Sequence, residues 1–520
     1  MMKRMKKVFA LLMAATVAVS LCACGKGSSE KNNKSNGGTE VQISYWNSGL
    51  GTDYLDAMVK AFNEKQSDWY VTYTATASQD AVQAAFGEEN IDKIDLYMGS
   101  KTYQVGKLEP LDDVLDSVAD GDSKALKEKF KANYLDFEKA NDGHYYSLTW
   151  GGGTIGIVYN KTLFEKAGIT ETPRTTGEMV TVCDKLYEAG FTPWTHFNAG
   201  NVSGGYWTYI QQLWQAQYDG IDYFINNFYG CTDANGNSPS KEVFTAKDGR
   251  YYTLKELAKF ITPEYVMAGS NSQDHITMQT LFLNQDIGMV VNGSWMANEM
   301  ESTADINGFG VMKAPVLSSI TDKLETVNSD MELRKLVSAI DAVTEGTEDI
   351  SQYQTGDGYT VNGKTVSAAD WDYVEKARNS VATNNPSQSF FIPRYSTEKE
   401  GAKEFLKFYF SDEGYKIFTE QLHIGLPINL SEGSVDTSDW NEFEKAMFAM
   451  AENVSYYVSG SSLSKHAIFT SGGASDYTNY MFIEKYCASN PSDRQTADEA
   501  WDSIMQRVED KYDDWLSNIK

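Results

Sequence analysis

Four of the chain's 11 tryptophans, Trp46, Trp150, Trp207 and Trp295, stand at strand ends or in glycine-rich turns, in the stretches SYWNSG, LTWGGG, SGGYWTY and NGSW. A large ring in mid-helix packs into a core, whereas one at a strand end or tight turn is placed to face a crevice. The chemistry open to such rings is noncovalent: a flat apolar face for stacking and one N–H donor. Polar partners for them can come from the loops that follow strands, which hold Asn47, Asp80 and Lys101, and from Arg394 after a later strand. In TSGGASDY, Gly472 and Ser475 could present backbone amides and Tyr477 a further ring. Each has a plainer reading too, Asp80 as a helix cap and Arg394 in a surface ion pair.

Covalent and metal chemistry find little support. No phosphate-binding glycine loop, nucleophile elbow or zinc spacing occurs. Paired carboxylates of the kind that hydrolyse glycosides mean nothing here, because 72 acidic residues make pairs unavoidable. Asp233, Asn235 and Asn237 imitate the start of a calcium loop, but Ser238 replaces the required glycine and Phe244 the bidentate glutamate. The doublets Tyr145-Tyr146, Tyr251-Tyr252 and Tyr456-Tyr457 resemble ferric-ion binders, yet adjacent tyrosines in a strand point to opposite faces. No metal, no cofactor and no enzymatic activity are expected. A secreted carbohydrate-active enzyme and a binder of ferric ion or another non-sugar solute stand as alternatives, with a surface adhesin third.

The elements that must carry these residues alternate. Val41–Trp46 reads as a strand that breaks at Asn47-Ser48-Gly49, followed by a helix with Leu55, Met58, Val59 and Phe62 on one stripe. Tyr70–Ala75 and Ile94–Met98 read as further strands, with a helix over Asp80–Phe86 between them. Such alternation predicts sheets covered by helices, with ligands at the carboxyl ends of the strands. The run YYSLTWGGGTIGIVY from Tyr145 to Tyr159 gives two extended segments around three glycines. Thr175 with Glu178, and Thr397 with Glu400, read as capping boxes opening helices. Asn362-Gly363 signals a hairpin within a polar stretch, 317–385, that reads as an insertion.

The N-terminus has a basic head and an apolar run from Val8 to Val19, a secretory signal too short to span a bilayer. The run ends at Leu21-Cys22-Ala23-Cys24-Gly25, which resembles the bacterial lipobox; the resemblance implies cleavage before Cys24 and a diacylglycerol on its sulfur. Residues 24–40 then form a polar flexible tether. Losing residues 1–23 strips four positive charges and moves the formal charge from −27 to −31, which argues against nucleic acid and against adsorption to anionic lipid headgroups. Of the later cysteines, Cys183, Cys231 and Cys487, an odd number at wide spacing, no framework follows. Any one pair could bridge, and Cys183 reads as core.

Several stretches, in order, resemble segments of the extracellular solute-binding proteins of carbohydrate ABC importers, the maltose-binding-protein type. HYYSLTWGGGTIGIVYNKTLFEKAGI resembles that family's crossing strand and following helix, and FLNQDIGMVVNGSWMANEM its most recognisable stretch. FGVMKAPV resembles the strand returning to the first lobe, IPRYSTEKEGAKEFLKFYFSDEGYKIFTE with LPIN a second return, and RQTADEAWDSIMQRV the closing helix. The resemblance implies a two-lobed α/β fold of the periplasmic-binding-protein type, each lobe a sheet flanked by helices, joined by three hinge crossings. It places residues 41–149 and 313–410 in the first lobe, with the insertion 317–385, and residues 150–312 and 411–520 in the second.

It further implies an extracellular receptor, lipid-anchored through Cys24 and monomeric, that holds a sugar in the cleft and delivers it to permease subunits. A sugar ring presents an apolar C–H face and a rim of hydroxyls, which calls for aromatic platforms and polar side chains. The ligand set expected is therefore Trp46, Asn47, Asp80, Lys101, Trp150, Trp207, Trp295, Arg394, Gly472, Ser475 and Tyr477, with Trp295 the principal stacking residue.

Overall fold

The computed structural model describes residues 37–47, 49–76, 94–100, 104–151, 153–198, 205–301, 303, 305–384, 388–459, 466–470, 472–474 and 482–519. The signal segment, most of the tether and the helix expected at 80–86 lie outside the described residues.

Two sheets organise the chain. The first has the order β2-β1-β3-β13-β4, built from β1 (Thr39–Trp46), β2 (Trp69–Thr76), β3 (Leu96–Ser100), β4 (Leu148–Thr149) and β13 (Gln388–Phe391). In β1, Val41, Ile43 and Tyr45 alternate into the core, the period of two that puts every second side chain on one face. Strand β1 runs parallel to β2 and β3, and β13 antiparallel to β3 and β4. Helix Asp53–Lys65 covers this sheet with Tyr54, Leu55, Met58, Val59 and Phe62, spaced one helical turn apart so that one stripe is buried.

The second sheet has the order β14-β12-β5-β7-β6 with β8 also on β5; its strands are β5 (Thr154–Asn160), β6 (Thr192–Trp194), β7 (Ile287–Gly293), β8 (Phe309–Met312), β12 (Ser380–Thr383) and β14 (Tyr456–Val458). Every residue of β7 is buried, as expected of a strand covered on both faces. One edge of β5 is shared: β12 pairs with its first half and β8 with its second.

This topology corrects two of the expected crossings. The chain was expected to return to the first lobe at 313, but β8 and β12 both hydrogen-bond β5 of the second sheet. The segment between them is tied there as well: Gln217 accepts from the Leu317 amide at 2.9 Å and donates to the Ala377 carbonyl at 3.0 Å. The stretch 317–383 is thus part of the second lobe, and the return falls between β12 and β13. Within it, β9 (Gln354–Thr355), β10 (Gly358–Val361) and β11 (Lys364–Ser367) form a small antiparallel sheet, β10 and β11 joined by the two-residue hairpin expected at Asn362-Gly363. Helix Asp412–Leu422, expected in the second lobe, packs on the first, with the Phe418 ring 5.3 Å from Tyr54. Helix Glu442–Glu452 already packs on β5 and β8, so the last crossing lies between 423 and 441. The chain passes from the first sheet to the second between β4 and β5.

Thr175 caps its helix as expected, accepting from the Glu178 amide at 3.2 Å, although Glu178 reaches back to the Arg174 amide. The other expected box does not form: the helix begins at Lys399 with no side-chain cap. Cys183 is buried and accepts from the Trp194 indole N–H at 3.1 Å; Cys183, Cys231 and Cys487 are all free.

Candidate functional site

The crossings hold each other. The Trp150 amide donates to the Gln388 carbonyl at 3.1 Å, and the Gly153 amide to Asn384 Oδ1 at 2.8 Å. Thr383 Oγ1 adds a bond to the Gly153 carbonyl at 3.0 Å. On this double strap sits Trp295, at the turn that ends β7. A Cβ on Gly153 or on Gly293 would stand 2.1 Å from its Cζ3, so the indole fills the space two side chains would take. Only glycine permits this approach.

Around the indole four segments meet. Tyr206 touches it edge-on with ring centres 5.2 Å apart, and Phe197 and His275 continue the row at 4.7 and 6.1 Å. Glu299, one turn after Trp295, accepts from Gln279 Nε2 at 2.7 Å. From the first lobe the loop after β1 comes across: a Cβ on Gly49 would lie 3.0 Å from Glu299 Oε1. Gly49 has φ +88, a conformation that suits glycine, so both the turn and the close approach select this residue type. Beside it, Leu50 Cδ1 and Gln388 Oε1 flank Gly151 at 3.5 and 2.9 Å from its Cβ position. Burial holds the Glu299 carboxyl above its ordinary range, against the Gln279 bond and the His275 charge, which lower it. Burial likewise raises the Tyr206 phenol.

Polar atoms without partners gather at the end of β7. Asn292 Nδ2, Ser294 Oγ and Gln279 Oε1 are buried and unbonded, as is the Trp150 indole nitrogen at the crossing. Unmet buried donors and acceptors are costly and mark places where a ligand or water completes the set.

The expected residues divide. Trp295 and Asn47 belong to this convergence; Asn47 Oδ1 accepts from the Gly51 amide at 3.0 Å and so shapes the crossing loop. Trp46 is half-buried against the satellite core of Tyr97, Tyr146 and Phe391. Trp150 is fully buried in the first lobe, edge-on to Tyr45 at 5.4 Å, with its carbonyl accepting from Tyr409 Oη at 2.7 Å. Trp207 is 1% exposed and wedged between Trp194 and Trp214, centres 5.0 and 6.2 Å away, so its ring belongs to the second-lobe core. Its neighbour Tyr206 packs against Trp295 instead. Arg394 is exposed, near Tyr146. The Gly472 amide, expected to face a ligand, donates to the Ala467 carbonyl at 2.8 Å. Asp80, Lys101, Ser475, Tyr477 and Cys24 lie outside the described residues.

Sequence reasoning missed Tyr206, Gln279, Asn292, Ser294 and Glu299. The motif around Trp295 held a signal for three of them, since 292–299 is a strand end running into a helix. Asp233 turns its carboxylate onto its own loop, accepting from the Asn235 and Asn237 amides at 2.9 and 3.0 Å. Among the described residues no cluster of metal ligands occurs.

A family model described as bacterial extracellular solute-binding protein matches residues 48–416. The sn-glycerol-3-phosphate-binding periplasmic protein UgpB of Agrobacterium fabrum is 24% identical over 291 residues, 53% of this chain. The match spans 62% of that relative's length. The solute receptor AcbH, with a reported exclusive preference for β-D-galactopyranose, superposes with a TM-score of 0.59 at 14% identity, covering 92% of this chain and 99% of its own. A Bifidobacterium animalis subsp. lactis ABC-transporter binding protein in complex with mannobiose gives 0.55 at 17% identity, covering 94% and 100%. The cyclic α-maltosyl-1,6-maltose binding protein of Arthrobacter globiformis gives 0.56 at 15% identity, covering 91% and 100%.

Proposed function

The chain belongs to the bacterial extracellular solute-binding proteins, and from that membership we propose that it captures a carbohydrate between its lobes and delivers it to the permease of an ABC importer. One observation carries the sugar reading: the Trp295 indole, laid over Gly153 and Gly293 at the crossing and edge-on to Tyr206, with Glu299 one turn later on its helix bonded to Gln279. An aromatic face beside hydroxyl-binding side chains is what a pyranose requires. The straps at 150–153 and between β12 and β13 are the places where small torsional changes would close one lobe on the other.

The same reading places the protein on the outer face of the cell membrane as a monomer, held by acyl chains on Cys24. No helix among the described residues is long and apolar enough to cross a membrane. Cys24→Ser should release the protein from the membrane fraction of expressing cells.

The test is thermal melting of the mature protein with galactose, mannobiose, maltose and chitin oligosaccharides. A ligand at 100 times its Kd stabilises by about 2.7 kcal/mol through mass action. A rise of the midpoint with one of these, lost in Trp295→Ala, supports the reading. No rise with any glycan, together with release of reducing ends from a polysaccharide, would replace it with an enzyme.

A further inference from the structure

Glu299 has a position that stacking alone does not use. Its Oε2 is held by Gln279, while Oε1 points to Gly49 of the other lobe, 3.0 Å from that residue's Cβ position. The carboxylate therefore stands at the contact between lobes, on the same short helix that follows Trp295. The groups acting on it are His275 at the start of helix His275–Asn284, Gln279 one turn further on, and Tyr206 across the indole. Among the described residues no lysine or arginine pairs with it. A half-buried carboxylate lacking a fixed cation favours a donor as its next neighbour and opposes a second anion. Gln279 Oε1, buried and unbonded, adds another acceptor.

Resting on the reading of this cleft as the ligand site, we propose that Glu299 sets the charge preference at the Trp295 end: it accepts from hydroxyl- or ammonium-bearing ligands and turns away phosphate esters. The ligand class differs at this point from the phosphate ester for which the Agrobacterium relative is named. A sugar hydroxyl entering here would complete the carboxylate's shell as the lobes meet. A phosphate would meet a desolvated negative charge with its own hydration removed.

The experiment compares the intact protein with Glu299→Gln, a nearly isosteric change that keeps an acceptor for Gln279. Quenching of tryptophan fluorescence by caesium and by iodide is measured in both backgrounds with and without Trp295→Phe, so that the difference reports Trp295. The overall acidity acts on both backgrounds alike. The expected caesium preference at Trp295 should fall by about threefold or more in Glu299→Gln. In parallel, the sugar that shifts the melting midpoint is titrated against sn-glycerol 3-phosphate, and Glu299→Gln should narrow the gap between them by about tenfold. An unchanged quenching ratio overturns the proposal whatever sugar binds. If no glycan binds and the caesium preference is still abolished in Glu299→Gln, the sugar reading falls and the charge preference stands.

Discussion

The ring of Trp295 occupies the volume that a side chain on Gly153 would fill, with Cζ3 2.1 Å and Cε3 2.3 Å from the Cβ position. The proposed stacking platform thus rests directly on a hinge strand, and the strand's freedom to carry it depends on having no side chain. On the proposed reading, ligand contact and lobe movement would share this one point.

Gly153→Ala should therefore push the indole off its seat. The expected destabilisation is about 1–3 kcal/mol, the usual penalty of forcing an extra methyl into a packed site. Sugar affinity should fall as far as in Trp295→Phe. Melting curves and titration calorimetry of both variants would check this; unaltered affinity in the Gly153→Ala variant would separate platform from hinge.

Tyr206 and Trp207 differ in role despite being adjacent. Trp207→Phe should lower the melting midpoint, because a ring held between Trp194 and Trp214 is lost from the core at about 1–3 kcal/mol. Affinity should hardly change. Tyr206→Ala should do the reverse, weakening ligand binding about tenfold or more with a smaller shift in stability.

His196 is buried, bonded to Asn271 Oδ1 at 2.6 Å, and burial pushes its pKa down to about 4. Because the folded value is depressed, the unfolded chain binds the extra proton first, so stability is present above about 6.5 and is lost as pH falls toward 4. The loss is of order 3 kcal/mol. Chemical denaturation at pH 7 and pH 4.5 should show it, and His196→Gln should flatten that part of the curve.

Lys129 is buried with Asp122 and Asp412, at 2.5 and 2.8 Å, and also donates to the Phe410 carbonyl. Lys129→Met leaves two carboxylates facing each other without a cation, which should destabilise the first lobe by about 3–5 kcal/mol. Adding Asp122→Asn and Asp412→Asn together should restore part of that loss, read as the coupling between Lys129→Met and the pair of Asn substitutions in urea unfolding.

Most local signals were legible, the capping box expected at Thr397 and Glu400 being the exception. The alternation of Val41, Ile43 and Tyr45, the stripe of Leu55, Met58, Val59 and Phe62 and the Asn362-Gly363 hairpin formed as read. Trp295 stands in the strand-to-helix turn expected of it, buried over Gly153 and Gly293.

What the residues alone could not decide was membership of a lobe and the direction of a ring. Whether β12 pairs with β5 or joins the first sheet depends on contacts between residues more than 200 positions apart, and a polar stretch at 317–383 carries no periodic trace of that choice. Tyr206 and Trp207 stand at a helix start, where a step of one residue turns the side chain about 100°. Packing against Trp194 and Trp214 selected the indole for the core and left the phenol against Trp295. The amino-acid order determined the alternating elements and the hairpin; tertiary pairing determined which lobe each element serves and which polar groups stand near Trp295.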